Sequence, residues 1–418
     1  MLSTQTRWFI LAVGMIAQSF TSMLQFGLPF LLPQFRSFTG SDERAALLIA
    51  APSVGLMLTL VAWGWCVDRF GERRSMVAGL LVGSVTLGLT SGLFLVDAPI
   101  TFGGLWVALC CSSALLAAVN SASARLIMAW FPSEERGLAM GIRQTSQPVG
   151  VAVSAACFPA VAISHGLGTV LGGVAVGCLI SALLILIVVP SNESPRIVKC
   201  GGAPGVSAAS PYRTPMLWQV HGASALLTIA QFTFSVFGFV YLTEEHRWNP
   251  VTAGLFFTTA NLVGAACRVV FGWYSDRFGS RLTLLRQISW SLAAGLFAVS
   301  GLSLLTMTHT ERVTFHAALL LILVFLATVV ASSNNGLSYT LVAEYAGPFW
   351  TGRALGTQNT VQNLVGIAVP VAGTAGISLA GFPLLFFASA FSVAVGAVVL
   401  PKTQPSEVQR TPGVPRHS

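Results

Sequence analysis

Of the 418 residues, 54% are hydrophobic and only 9% carry a charge, where an ordinary water-soluble domain has about a quarter charged. This excludes a soluble globular protein, a disordered chain and a collagen-like one, and it suits helices of about 20 apolar residues crossing a hydrocarbon layer roughly 30 Å thick. The net charge of +8 does not indicate nucleic acid, because the basic residues are scattered between apolar runs and build no continuous basic face.

Taken in chain order, the apolar runs predict spanning helices over 8–32, 45–67, 75–96, 100–128, 137–162 and 168–190. The first is too long for the apolar core of a cleavable signal and has no small-residue cleavage site, so it is expected to remain as a membrane helix. A loop rich in Pro, Gly and Ser follows over 191–215, and six more helices are predicted over 216–242, 250–273, 282–306, 313–341, 353–378 and 381–400, with a tail over 401–418. The expected domains are therefore an N-terminal six-helix bundle (1–190), a central loop, a C-terminal six-helix bundle (216–400) and the tail. An even number of passes puts both termini on one side. Arg69, Arg73, Arg74, Arg136, Arg196, Lys199, Arg277, Arg281, Arg286 and Lys402 lie on that side, against Arg36, Arg44, Arg247 and Arg312 opposite. The positive-inside rule makes that side cytoplasmic. Cys66, Cys110, Cys111, Cys157, Cys178, Cys200 and Cys267 show no paired spacing and read as small hydrophobic residues.

The two halves repeat. The segment from Gly64 to Arg73, GWCVDRFGER, returns from Gly272 to Arg281 as GWYSDRFGSR, with seven of ten positions identical. A weaker echo links 141–147, GIRQTSQ, to 356–362, GTQNTVQ.

These residues resemble the major facilitator superfamily of secondary transporters, whose loop between helices two and three carries the pattern G-x-x-x-D-R-x-G-x-R-R. Gly64, Asp68, Arg69, Gly71, Arg73 and Arg74 match it throughout, and WFPSEERG over 130–137 resembles the family's loop between helices four and five. The resemblance covers essentially the whole chain. It implies an all-α integral membrane protein with 12 transmembrane helices in two pseudo-symmetric six-helix bundles, working by alternating access around a central cavity, an architecture of which this family is itself a standard example. It also implies that the loop motif and its second copy, with Asp276 and Arg277, latch one conformation and release it in the other. The Gln147-Pro148-Val149-Gly150 run only partly resembles the family's Gly-Pro motif of antiporters.

The motif also makes physical sense by itself. Its glycines permit a tight turn and close helix approach, Asp68 sits where it can meet the positive end of a neighbouring helix, and the arginines favour the cytoplasmic surface. Charge inside the membrane is costly and marks pathways by default. Arg143 lies six residues into the fifth helix and Arg268 eight residues before Asp276, so both are expected roughly 9 to 12 Å in from the cytoplasmic ends at about 1.5 Å per residue. In the resembled fold both would reach one cavity, where an anion would satisfy them by bidentate bonds. Snorkelling or pairing with a loop carboxylate such as Glu134, Glu135 or Glu344 is the plainer alternative, and it is favoured for Arg125, five residues before Trp130.

No acidic residue falls in the middle of a predicted helix, so neither a carboxylate proton carrier nor a cation-attracting site is visible. His221 is the one histidine placed in a helix near the expected cavity and reads as a structural residue before a proton relay. The amides Gln18, Gln25, Asn120, Gln144, Gln147, Gln231, Asn261, Asn334, Asn335, Gln358, Asn359, Gln362 and Asn363 either line a cavity or bridge helices. Gln358 and Gln362, four apart, share a face, as do Arg143 and Gln147. No Walker loop or HExxH appears, so the chain is expected to be no enzyme and to carry no cofactor or metal. The expected function is secondary transport of a small solute, an organic anion such as a carboxylate, across the cytoplasmic membrane, bound by Arg143, Arg268, Gln144, Gln147, Gln358, Gln362, Asn334 and Gln25. The expected partners are that solute and the lipid bilayer, with no nucleic acid and no oligomer required. An exporter of amphiphilic drugs is the alternative, favoured by the partial Gln147-Pro148-Val149-Gly150 resemblance and by the aromatic run Phe232, Phe234, Phe237, Phe239 and Tyr241, with a transporter-like receptor or sensor as a minor one.

Overall fold

The computed structural model describes residues 3–96, 98–190, 210–278, 280–308, 313–347 and 349–402. Most of the expected central loop, the tail beyond 402, Asp97, Gly279, Pro348 and residues 309–312, with Glu311 and Arg312, lie outside them. The described residues form helices and turns with no strand. In order these are α1 (Thr4–Gly27), α2 (Leu32–Thr39), α3 (Asp42–Phe70), α4 (Glu72–Leu95), α5 (Phe102–Leu116), α6 (Ala118–Trp130), α7 (Arg136–Arg143) and α8 (Ser146–Val188). There follow α9 (Pro215–Thr233), α10 (Pro250–Phe278), α11 (Arg281–Thr308), α12 (Val313–Ser333), α13 (Asn335–Ala346) and α14 (Thr351–Val399).

Ten helices among the described residues are long and apolar enough to cross a membrane. Two of them, Ser133–Val188 and Thr351–Val399, are broken by non-helical backbone, at Gly166 (φ 82°) and at Ala380–Gly381 (φ −150° and 72°). Counting each side of these breaks separately gives twelve apolar passes. Glycine suits both breaks because it alone takes positive φ without a Cβ penalty. Gly71 does the same in the loop motif: at φ 85° it turns α3 into α4 with one residue between them.

Two compact units divide the chain, one of Met1–Ala209 with Ala346–Thr360, the other of Ser210–Tyr345 with Val361–Ser418. In the first, α1 and α4 pack along α8 and α3 along α5, burying Ile10, Leu24, Leu48, Leu80, Leu109, Leu126 and Leu171. In the second, α10 and α11 both pack on α12. Leu58, Ile187 and Leu379 are exposed, as expected of side chains that face lipid.

Several spans expected to be continuous are interrupted. The fourth breaks at Ala117 between α5 and α6, and the tenth at Asn334 between α12 and α13. At the first break the Ala114 carbonyl accepts from Thr59 Oγ1 (2.9 Å) and Trp63 Nε1 (2.7 Å) on α3, so the interrupted backbone is satisfied inside protein, as membrane depth requires. The fifth span breaks between Arg143 and Ser146. Pro148 explains this: it has no N–H for the carbonyl of Gln144, and its ring crowds that carbonyl. The seventh span passes from α9 into two π-helical turns, Phe234–Gly238 and Tyr241–Glu245.

Candidate functional site

The loop motif is built around a carboxylate at a helix start. Asp68, its side chain 1% exposed, accepts the backbone N–H of Gly352 (2.7 Å) and of Arg353 (3.0 Å) in the first turn of α14, where unpaired N–H groups and the helix dipole favour an anion. Arg353 Nε (3.3 Å) and Arg125 Nη1 (3.5 Å) flank the same carboxylate. Glycine permits the approach: a Cβ on Gly64 would stand 2.4 Å from the Gly352 carbonyl oxygen, one on Gly352 2.3 Å from that of Gly64, and one on Gly356 2.5 Å from that of Leu60. These contacts explain why 346–360, which the sequence assigns to the second bundle, groups with the first unit. Arg125 is buried and pairs with Asp68 and Glu72, and it donates to the Val67 carbonyl.

The second copy uses its charges differently. Asp276 and Glu344 share one guanidinium, that of Arg281, at 2.5 and 2.6 Å. Arg69 lies over Trp65 and Arg277 over Trp273, centroid distances 5.5 and 5.9 Å, so the repeated Trp-Asp-Arg spacing places an arginine on an aromatic face in both units. Arg73 donates to the Leu186 carbonyl at the end of α8 and Arg286 to that of Pro401 after α14, each a cation at a helix C-terminus. Arg74 is exposed.

Arg143 ends α7 at the break and is 4% exposed. Its Nε donates to Ser123 Oγ (2.9 Å), Nη2 to the Asn120 carbonyl (2.6 Å) and Nη1 to Gln144 Oε1 (3.2 Å). Gln18 joins α1 to the network, donating from Nε2 to Asn120 Oδ1 (2.8 Å) and accepting from Ser123 Oγ (3.2 Å). A small cavity lined by Ile10, Gly14, Ser123, Leu126 and Arg143 lies beside it. Gln147 is exposed, and the helix break separates it from Arg143. Gln25 is 3% exposed.

In the second unit Arg268, 8% exposed, donates from Nε to the Ser332 carbonyl (2.5 Å) beside the break at Asn334. Asn334 is buried and donates to the Ala331 carbonyl (3.0 Å). Asn335 Nδ2 donates to Gln231 Oε1 (3.1 Å), Gln362 Nε2 to Asn335 Oδ1 (3.3 Å), and Tyr339 Oη to Gln362 Oε1 (3.0 Å). Gln358, fully buried, belongs to the first unit while Gln362 belongs to the second. The Gln–Asn bridge thus occurs twice, Gln18 to Asn120 and Gln231 to Asn335. His221 is buried and stacks on Tyr212, Nε2 to Oη 3.2 Å, which ties the turn before α9 to that helix. Ser123 and Tyr339 are the members of the two networks that the sequence did not single out. Ser123 stands three residues after Asn120, on the same helix face, and that spacing was the available signal.

The aromatic run on the seventh span is spent on packing. Phe232 and Phe237 occupy the space over Gly366 and Gly373, where a Cβ would come within 2.6 and 2.3 Å of their rings. Their five-residue separation fits the wider π turn between them. Phe234 stacks on Phe386 at 5.7 Å.

Twelve apolar passes, a doubled Gly-Asp-Arg motif and polar networks buried at membrane depth describe a multi-pass membrane transporter. The Major Facilitator Superfamily model matches residues 14–370, and the chain belongs to that family. It is 36% identical over 389 residues to an uncharacterized MFS-type transporter of Mycobacterium tuberculosis (H37Rv), covering 90% of this chain and 81% of that one. It is 24% identical over 374 residues to the probable galactarate/D-glucarate transporter GarP of Escherichia coli K12, covering 80% and 82%. The solved structure of the proton:xylose symporter XylE superposes with a TM-score of 0.74 at 15% identity, covering 97% of this chain and 98% of that one, a likeness of fold.

Proposed function

We propose that the protein carries a small organic anion, such as a carboxylate, across the cytoplasmic membrane by alternating access, with both termini cytoplasmic and six-helix bundles over 1–190 and 216–400. The observation that carries this reading is Arg143: a guanidinium buried in a membrane span and held by Ser123, Asn120 and Gln144 in one orientation. At an effective dielectric constant of about 20, a unit charge about 6 Å away contributes about 3 kcal/mol, roughly a hundredfold in affinity. Arg268 supplies a second such charge in the other unit. Gln25, Gln144, Gln147 and Gln358 in the first unit, and Asn334 and Gln362 in the second, serve as neutral polar groups for the solute. Gly64, Asp68, Arg69, Gly71, Arg73 and Arg74, with Asp276 and Arg277, serve as the conformational latch. A relative named for two sugar diacids supports the anionic class. The drug-export reading loses one of its two supports, because Phe232, Phe234 and Phe237 are engaged in packing.

Binding of D-glucarate to the purified protein, measured by calorimetry, tests the assignment. Arg143→Gln is expected to weaken binding about tenfold to a hundredfold. Arg143→Lys is expected to fall between wild type and Gln, since a single ammonium nitrogen lacks the planar fork whose three nitrogens reach Ser123, Asn120 and Gln144 separately. Wild-type affinity in both variants would overturn it.

A further inference from the structure

Three contacts fix how α1 runs against the fourth span. Trp8 meets Phe131 at 5.2 Å between ring centroids, Gly14 faces Leu126 and Ser123, and Gln18 bonds Asn120. The residue numbers rise on one helix as they fall on the other, so the pair is antiparallel. Seven residues further along α1, two turns and about 10 Å at 1.5 Å per residue, stands Gln25, on the face of Gln18. Seven residues back from Asn120 stands Ser113, on α5, which α1 also touches. Gln25 and Ser113 are therefore level with each other, one step beyond the Arg143 network and on the far side of the break at Ala117.

The chemistry at that level, together with one donor at the level of Asn120, is unspent. Neither Nε2 nor Oε1 of Gln25 has a hydrogen-bond partner among the described residues, and the same holds for Ser113 Oγ and for Asn120 Nδ2. All three residues are nine-tenths buried or more. Buried polar groups are nearly always bonded, and leaving them unbonded is costly. An amide with both ends open calls for a group that donates and accepts together. A hydroxyl does both, whereas a carboxylate or a small inorganic oxyanion only accepts, and an alkyl or aryl group does neither.

We propose that Gln25, with Ser113 and the Asn120 amide nitrogen, reads hydroxyl groups on the anion, so that the cargo class is a hydroxylated carboxylate. This rests on Arg143 as the charge partner of the anion. The carboxylate lies at the level of Arg143 and Asn120, and the hydroxyl-bearing chain extends along α1 towards Gln25. Gln25 sets specificity and Arg143 sets charge.

The test uses two six-carbon dianions of equal charge, D-glucarate with hydroxyls and adipate without them, titrated into the purified full chain. The wild type is expected to bind D-glucarate about tenfold or more tightly than adipate, since a site built to bond hydroxyls rejects a ligand lacking them. Gln25→Leu, which fills the same space without an orphaned amide and so retains folding, is expected to bring the ratio within about threefold of one. Gln25→Asn is expected to restore part of the preference, and Ser113→Ala to reduce it by a few fold. A full hydroxyl preference in Gln25→Leu overturns the inference even where Arg143→Gln still weakens both dianions. Unchanged binding of both dianions in Arg143→Gln overturns the charge assignment separately, whatever the ratio in the Gln25 variants. Absence of binding of either dianion to the wild type overturns the hydroxylated class.

Discussion

Replacing Asp68 by Asn probes the junction between α3 and the start of α14. The carboxylate accepts two backbone N–H groups, from Gly352 and Arg353, and stands between the guanidinium groups of Arg353 and Arg125. Asparagine keeps one acceptor oxygen, so one backbone bond survives, while the other bond and the negative charge are lost. A hydrogen bond to an ionised group is worth about 1.5–3 kcal/mol, and the loss of bond and charge together comes to about 3 kcal/mol, roughly 150-fold in the opening equilibrium. Ala354, one residue beyond Arg353 and fully buried, reports that opening when changed to cysteine in a cysteine-free background. If labelling of Cys at 354 by a small maleimide requires the junction to open, its rate is expected to rise about a hundredfold on adding Asp68→Asn, with the amount of folded protein unchanged. A rate within about threefold of the parent would refute a latch and leave the motif with only a topological role.

Gly64→Ala tests the same junction by sterics. Its Cβ would meet backbone, 2.4 Å from the Gly352 oxygen and 2.8 Å from the Arg353 Cα, so labelling at 354 is expected to rise at least tenfold with Asp68 intact; an unchanged rate would mean that α14 is held by charge alone. For topology, a cysteine replacing exposed Arg74 is expected to react with impermeant reagent only from the cytoplasm, and one replacing exposed His165 only from outside. The reverse pattern would invert the assigned orientation.

The membrane passes were legible because an apolar run long enough to span leaves its mark in composition alone, and the turn at Gly71 was legible from the loop motif; the break at Gly166 falls in the gap left between 162 and 168, whereas Gly381 was placed inside a helix. The placement of Asp68 at a helix start followed from its charge, although the sequence did not say which helix. The breaks at Ala117 and Asn334 left no trace, since neither position carries Pro or Gly and both depend on side chains from other helices taking over backbone groups. The snorkelling expected of Arg125 gave way to burial, because Asp68 from the end of α3 and Glu72 from the start of α4 meet it and a paired charge tolerates what a lone one does not. The break after Arg143 was half legible: a proline at 148 bends a helix, but its effect falls four residues upstream and separates Arg143 from Gln147, which regular helical spacing had put on one face. Tyr339 entered the second network unseen because one tyrosine in an apolar helix looks like packing.

The paired Gln–Asn bridges, Gln18 with Asn120 and Gln231 with Asn335, bear on how such a protein changes its cargo over evolutionary time. Asn120 and Asn335 are 215 residues apart, and the same offset relates Arg143 to Gln358. After an ancestral duplication, the amide crosspiece can stand in both copies while the neighbouring position differs, Arg in one and Gln in the other. Those two amino acids have codons one base apart, CGA and CAA. A lineage facing a new solute therefore has a short mutational path for adding or deleting a buried positive charge in either half, with the crosspiece that ties the helices left alone.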